Sequence, residues 1–491
     1  MKGTHTVSEI AYALEKAQKE KSANTTTTKS DKSVAADVAR GHYQYNIGID
    51  FGTAFTKCVI RDTRQSRAPA TLVRFKGNDT QPFFLPTVVR FDVATGAVAL
   101  FDNPEAAGEY IPYLKMALYA SLRGRRSDPW IDGVAHLWPD ASFDELCERI
   151  ETLVIFFLAG TIERSLAAIR ERLPDFGAEG DICTVNMAVP VAHAQDIAVE
   201  NAFRNCLGLA WKLAHESPKP NPTFDNYTAA IKRVKRNGID HDFCFIYPEV
   251  SANVQSFLKS PARNRGTYLF VDVGAGTVDA SVFLWPSEDP AKPLTYLAAD
   301  VFRLGSSQVE LRATGSAAAK LKEAFRLHKE GEAAQSEVQI DLEKELSIIA
   351  EIIRGELVEA LPKTLNTARL KLERPGHPPI QWNQIRVLLG GGGCVSSLYT
   401  DAVHDSFGVW HLDPPTLDLP MPDGDLEWPL EIKDHENRVA FFRRISVAYG
   451  LSFDRGELDG HRYPDEIQEH PTKSEDVPSE PRPSAPSKDE C

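Results

Sequence analysis

The sequence predicts an α/β fold of two related lobes, each a sheet with helices, around a central cleft. Three observations lead there. Residues 268–285 form an apolar run, a small-residue turn and a second apolar run, with Asp272 and Asp279 flanking the turn. Residues 45–60 repeat the device about 220 positions earlier: a strand ending in Asp50, a Gly52-Thr53 turn, then a second apolar strand. Amphipathic helices separate such strands; in 142–172, Phe143, Leu146, Ile150, Leu153 and Phe157 recur at spacings of three and four.

The turns carry the chemistry. Short apolar runs read as buried strands, and Gly274, Ala275 and Gly276 between them as a tight hairpin whose backbone can approach a ligand. Successive N–H groups in such a turn make a concavity suited to phosphate. A carboxylate closing a buried strand is costly without a cation nearby. Taken alone, 268–285 is equally a structural hairpin with a capping Asp. The second copy shifts the balance, since a nucleotide polyphosphate held between two lobes is the simplest ligand needing both turns. A third cluster, with Gly390, Gly391 and Gly392 after the strand at 387–389, precedes the helix-compatible 396–406. It is a strand-to-helix turn able to lie flat against a ring or phosphate.

In this order and spacing the three segments resemble the phosphate-1, phosphate-2 and adenosine motifs of the actin-like ATPase superfamily. Within it the chain is most similar to the nucleotide-binding domain of DnaK-type heat-shock chaperones. Residues 84–89 resemble that family's Pro-Ser-Val-Val segment, and 113–116 fall where its catalytic lysine sits. Residues 183–191, with a helix to about 209, look like its strand-plus-helix region; 247–253 match its Glu-Pro-Thr-Ala-Ala turn and 447–450 its closing helix. The likeness covers roughly 44–455.

The resemblance implies ATP or ADP with Mg²⁺. Asp50 and Asp272 would hold the hydrated metal and Glu249 would place the attacking water. Thr53, Thr277 and the turn amides would cradle phosphates, with Asp279 beside them, while Lys57 and Lys115 spread transition-state charge. Gly305 resembles an edge of the site, and Lys329 lies in a helix similar to the adenosine-clamping one. Three departures stand out. Lys57 is usual in actin and plasmid-segregation actins rather than in chaperones, Ala275 replaces a glycine, and Arg326 stands where the clamp has an acid. By residue type alone, Lys57 also reads as an exposed strand lysine, Lys115 as a solvated helix residue, and Glu249 as an acid favoured at a helix N-terminus.

Composition bounds the rest. With 491 residues the chain exceeds one ordinary domain, and 42% hydrophobic with 25% charged residues is globular. A net charge of −14 argues against a nucleic-acid-coating surface, and the basic run 232–236 reads as a solvated face. No apolar run approaches the ~18 residues that span a bilayer, and the N-terminus shows no signal pattern. Seven scattered cysteines without a CxxC pair point to reduced thiols in the cytoplasm and to no metal–thiolate site.

The expected plan is a largely disordered extension at 1–43, a first lobe at 44–260 with an inserted subdomain at about 64–140, and a second lobe at 261–435. The second lobe includes helices at 317–328 and 342–372, an inserted subdomain at about 313–383 and an insertion loop at 411–435. A return helix at 436–455 and a disordered tail at 456–491 complete it, with no peptide-binding β-sandwich. The expected function is a slow Mg²⁺-dependent ATPase switch whose lobe closure acts on an unidentified protein partner, with no nucleic acid and no membrane. An actin-like filament former, open to self-assembly, a pseudo-ATPase scaffold and a small-molecule kinase are the alternatives.

Overall fold

Sixteen short and long strands organise the described chain, in the order β1 (Gln44–Phe51), β2 (Phe55–Asp62), β3 (Ala70–Leu72), β4 (Leu85–Pro86), β5 (Val89–Phe91), β6 (Val98–Leu100), β7 (Glu109–Ile111) and β8 (Ile182–Val189). These are followed by β9 (Cys244–Pro248), β10 (Gly266–Val273), β11 (Val278–Trp285), β12 (Leu294–Phe302), β13 (Arg386–Gly390), β14 (Thr416–Leu417), β15 (Leu426–Glu427) and β16 (His461–Arg462). They belong to a computed structural model that describes residues 42–467 apart from 66–67, 77–80, 102–107, 191–193, 195, 217–218, 220–221, 240, 262, 287–293, 309–311, 313–338, 373–381 and 459. The described residues from Tyr43 onward belong to one compact unit. Residues 1–41 of the expected extension at 1–43, the helix at 317–328, Arg326, Lys329 and the tail beyond 467 lie outside the described residues.

The fold is mixed α/β. One sheet runs β15-β3-β2-β1-β8-β9, with β4 also paired to β2; a second runs β14-β13-β10-β11-β12-β16; a small third joins β6-β5-β7. Both large sheets are built on an antiparallel hairpin, β1–β2 and β10–β11, with a parallel neighbour (β8 or β13) beside its first strand. Central strands buried on both faces are near-continuous apolar runs rather than alternating ones, which is why 45–60 and 268–285 were legible as strands.

Nine helices matter for the site: α1 (Leu114–Leu122), α2 (Phe143–Arg172), α3 (Ile197–His215), α4 (Glu249–Asn253), α5 (Gln255–Lys259), α6 (Gln339–Leu372), α7 (Ser397–Asp405), α8 (His435–Leu451) and α9 (Arg455–Leu458). Helix α2 begins at a capping box, Ser142 and Glu145 satisfying each other's backbone N–H groups. Its Leu146, Ile150, Leu153 and Phe157 enter the first core, where Phe157 meets Phe51 of β1 at a ring separation of 5.8 Å. In α6, buried Ile353, Leu357, Leu361 and Leu365 repeat every fourth residue against the second sheet.

Helix α8 is the element that touches most of the site's supports, packing on β1, β2 and α4. It comes that close because glycines stand at the crossings. A Cβ on Gly48 would lie 2.4 Å from the Ala448 carbonyl oxygen, and one on Gly450 would lie 1.8 Å from that of Ala252. The sequence motif at 447–450 therefore has a packing reason of its own.

Several expectations need correction. Residues 456–467 are not a featureless tail: α9 and β16 are ordered, β16 pairs with β12, and Leu458 and Pro464 are buried. The polar composition of the whole tail concealed these few apolar anchors. Residues 411–435 are not only a loop, since β14 extends the second sheet beside β13 and β15 extends the first beside β3. The helical stretch after β9 is broken at Val254 into α4 and α5.

Finally, α2 does contain an 18-residue window of mean hydropathy 1.6, long and apolar enough by composition to cross a bilayer, although 72% of that window is buried in the protein. Thr161 and Ser165 interrupt the apolar run in the sequence. Both hydroxyls donate to carbonyls one turn back, Phe157 and Thr161, which lets them be buried at little cost.

Candidate active site

The site is assembled at the carboxyl ends of β1 and β10. In the first hairpin Asp50 pairs across the ladder with Lys57, and Lys57 Nζ lies 2.7 Å from Asp50 Oδ2. Strand alternation puts both side chains on one face, so this lysine is ion-paired rather than an outward strand residue. The turn between them is held by Gly52 N–H donating to the Asp50 carbonyl at 3.0 Å. A Cβ on Gly52 would stand 2.4 Å from the Phe55 carbonyl oxygen, so glycine is required here by space.

In the second hairpin Asp272 faces Asp279 in register. The turn closes with Gly274 N–H donating to the Thr277 carbonyl at 2.9 Å. Neither Gly274 nor Gly276 adopts a left-handed backbone; a Cβ on Gly276 would fit tightly, 3.0 Å from Thr53 Cγ2 and 3.1 Å from Thr53 Oγ1. The tips of the two hairpins thus touch, Thr53 of one against Gly276 of the other. Behind the second turn, Ser306 and Ser307 N–H groups donate to the carbonyls of Gly274 and Ala275 at 3.0 and 2.8 Å. Gly305 makes room for that backbone pairing, since its Cβ would fall 2.4 Å from the Thr277 nitrogen.

Two further groups converge on the turns. Glu249 opens α4 directly after β9, and Lys115 sits in the first turn of α1; Lys115 Nζ is 3.3 Å from Glu249 Oε1, and both side chains are 10% exposed. Tyr113, just before α1, holds a left-handed backbone with φ 60°, and its ring meets Trp130 edge-on at 4.6 Å. A strained non-glycine residue of this kind costs on the order of 1–3 kcal/mol and persists only where the surroundings hold it.

Electrostatics set the character of the site. Four buried carboxylates (Asp50, Glu249, Asp272, Asp279) share it with two lysines (Lys57, Lys115), so full ionisation would leave two negative charges uncompensated. Burial, then the charges of Glu249 and Asp50, push the Asp272 carboxyl up to about 7, with Lys57 and Lys115 opposing. Asp279 is pushed well above the usual carboxylate range by burial, Glu249 and Asp272, despite Lys115 and the 3.2 Å bond from Thr277 Oγ1. Burial alone would lower the Lys115 pKa, but Glu249, Asp50 and Asp279 together raise it.

Glu249 Oε2 and Asp279 Oδ1 are buried without a hydrogen-bond partner among the described residues. Orphaned acceptors in a cluster of excess negative charge fit a divalent cation with its water shell. Among the described residues no group of three or more His, Cys, Asp or Glu could by itself enclose a metal. Any cation held here would rest on one or two carboxylates and keep most of its waters, as Mg²⁺ does, rather than sit in an all-protein cage.

The third glycine cluster is divided in its roles. Gly390 faces the Phe270 ring, where a Cβ would come within 2.6 Å of Cζ. Gly391, at φ +80°, would place a Cβ 2.3 Å from Asp272 Oδ1. Gly392 lies outermost, beside the Arg444 side chain. The structure thus brings Asp50, Gly52, Thr53, Lys57, Lys115, Glu249, Asp272, Gly274, Ala275, Gly276, Thr277, Asp279, Gly305 and Gly391 into one neighbourhood.

Sequence reasoning passed over Asn253 and Ser446. Asn253 Nδ2 donates to Asp272 Oδ2 at 2.8 Å, and Ser446 Oγ donates to Asn253 Oδ1. The available signal was its position four residues after Glu249, on the same helix face. No protein-family model matches the chain, and no curated protein matches it.

Proposed function

We propose that the chain is an ATP-binding, slowly ATP-hydrolysing molecular switch with the two-lobed actin-like fold, similar to the nucleotide-binding domain of DnaK-type chaperones. The observation that carries this reading is the meeting of the two hairpin tips, Thr53 against Gly276, with Asp50, Lys57, Lys115, Glu249, Asp272 and Asp279 around them.

Asp50 and Asp272 would hold a hydrated Mg²⁺ beside the polyphosphate, with Glu249 accepting from its water. The cation would supply the positive charge that four carboxylates and two lysines lack. Thr53, Thr277 and the turn amides would bind phosphate oxygens, and Lys57 and Lys115 would spread the charge that develops during transfer to water. Asp279, which burial, Glu249 and Asp272 hold well above the usual carboxylate range, would keep a proton within the site, while Asp272 would be ionised where it holds the cation. Closing and reopening of the lobes around nucleotide would be the output, read by a protein partner.

Calorimetric titration with ATP and ADP, with and without Mg²⁺, tests this reading. We expect binding that tightens with Mg²⁺ in the wild type and loses that gain in Asp272→Asn. A chain that binds neither nucleotide overturns the function, and a Mg²⁺ effect unchanged in Asp272→Asn overturns the metal assignment. The Lys57–Asp50 pair favours a second reading, a filament-forming ATPase, because a lysine here is the actin-like feature. Sedimentation after ATP addition over a range of protein concentrations separates the two.

A further inference from the structure

We infer that Asn253 is a positioning residue that fixes the Asp272 carboxylate for Mg²⁺-bound polyphosphate, and that Ser446 holds Asn253 in place from helix α8. The inference rests on the functional reading above. Asn253 is 1% exposed and joins three separate elements: it ends α4, its Nδ2 donates to Asp272 Oδ2 on β10, and its Oδ1 accepts from Ser446 Oγ on α8. Its amide orientation follows from these partners, because only the NH₂ can face a carboxylate and only the carbonyl can accept the serine proton while Nδ2 is so engaged.

The glycine turn is shaped around this pair. A Cβ at Gly390 would come 3.1 Å from Asn253 Nδ2, and one at Gly391 would come 2.3 Å from Asp272 Oδ1. With Oδ2 engaged, Oδ1 has no hydrogen bond among the described residues and is the oxygen left for a ligand.

A neutral amide suits the task for an electrostatic reason. Asp272 lies among Asp50, Glu249 and Asp279, and also Lys57 and Lys115, so a further carboxylate would add repulsion and a further ammonium would compete with the cation. An asparagine orients the carboxylate without altering the charge balance. Partners that orient metal-binding carboxylates in this way are typically worth about 10–100-fold in metal affinity.

The full chain is titrated calorimetrically with ATP, with and without Mg²⁺, as wild type, Asn253→Ala and Ser446→Ala, with thermal unfolding of each to check folding. In Asn253→Ala the tightening of ATP binding by Mg²⁺ should shrink by about 10–100-fold while metal-free ATP affinity stays within about twofold. Ser446→Ala should lose a smaller part of the same ratio. A folded Asn253→Ala with the wild-type Mg²⁺ ratio overturns the inference and leaves the functional reading intact. If Asn253→Ala does not fold, an unchanged ratio in Ser446→Ala overturns it instead. A wild type whose ATP binding ignores Mg²⁺ removes the functional reading and this inference together.

Discussion

Lys115 Nζ and Glu249 Oε1, from elements 134 residues apart, lie 3.3 Å from each other with both side chains 10% exposed. The pair is buried, and Glu249 Oε2 has no other hydrogen-bond partner among the described residues. Removing one partner leaves an uncompensated charge in the interior. Lys115→Met should cost about 3–5 kcal/mol in a urea titration near neutral pH. The double variant Lys115→Met/Glu249→Gln should recover most of that loss. A single-variant cost below about 1 kcal/mol would mean that the pair contributes as little as an exposed one.

The acidic cluster makes stability depend on pH in an unusual direction. Asp272, raised to about 7, and Asp279, also raised, bind protons more tightly in the folded state than in the unfolded chain. Their contribution is therefore complete at pH below the ordinary carboxylate value; that of Asp272 is lost as pH rises through about 7, and that of Asp279 as pH rises through its own raised value. Each such proton changes stability by at most about 1.4 kcal/mol per pH unit. Asp279→Asn should flatten the decline between pH 5 and 7.5, so the stability gap between variant and wild type should move in the variant's favour as pH rises. Denaturant midpoints measured across that range check it; a gap that moves the other way rejects the assignment.

The consecutive glycines 391 and 392 should respond oppositely to alanine. At Gly391 the φ of +80° disfavours any side chain, and a Cβ would strike Asp272 Oδ1 at 2.3 Å and the Val273 carbonyl oxygen at 2.4 Å. Gly391→Ala should lower stability by at least about 2 kcal/mol. At Gly392 the nearest atom is Arg444 Cγ at 3.6 Å, so Gly392→Ala should fall within about 0.5 kcal/mol of wild type. Thermal unfolding of the two variants side by side decides the matter, equal losses being the contrary outcome.

Gly355 offers a stabilising change. It lies within α6, and nothing stands within 4 Å of where its Cβ would be. Gly355→Ala should raise stability by about 0.5–1 kcal/mol through helix propensity and a less flexible unfolded chain. By contrast Gly450→Ala, driven against the Ala252 carbonyl at 1.8 Å, should prevent α8 from seating and leave little folded protein. Soluble yield and melting temperature report both.

Much of this was legible because it is local. The β1–β2 and β10–β11 hairpins announce themselves by apolar runs around small-residue turns, and α2 by its periodicity. Elements α9 and β16 and the packing of Ile467 were not legible, because Leu458 and Ile467 gain meaning only against partners from elsewhere in the chain. Asn253 escaped notice for the same reason: an amide at the end of a short helix has no signature until Asp272 and Ser446 stand beside it.

By itself, then, the sequence determined the α/β class, the two hairpins with a carboxylate at the end of each first strand, and the strand-to-helix glycine turn. These follow from continuous apolar runs in strands buried on both faces, turn stereochemistry and helix periodicity, which act over a few residues. Only the tertiary structure decided that Thr53 touches Gly276, that Lys115 neutralises Glu249, and that Asp272 is held by Asn253 under helix α8. Those relations arise from burial and Coulomb forces between groups brought together from distant parts of the chain, and such forces depend on distance in space, which no local pattern records.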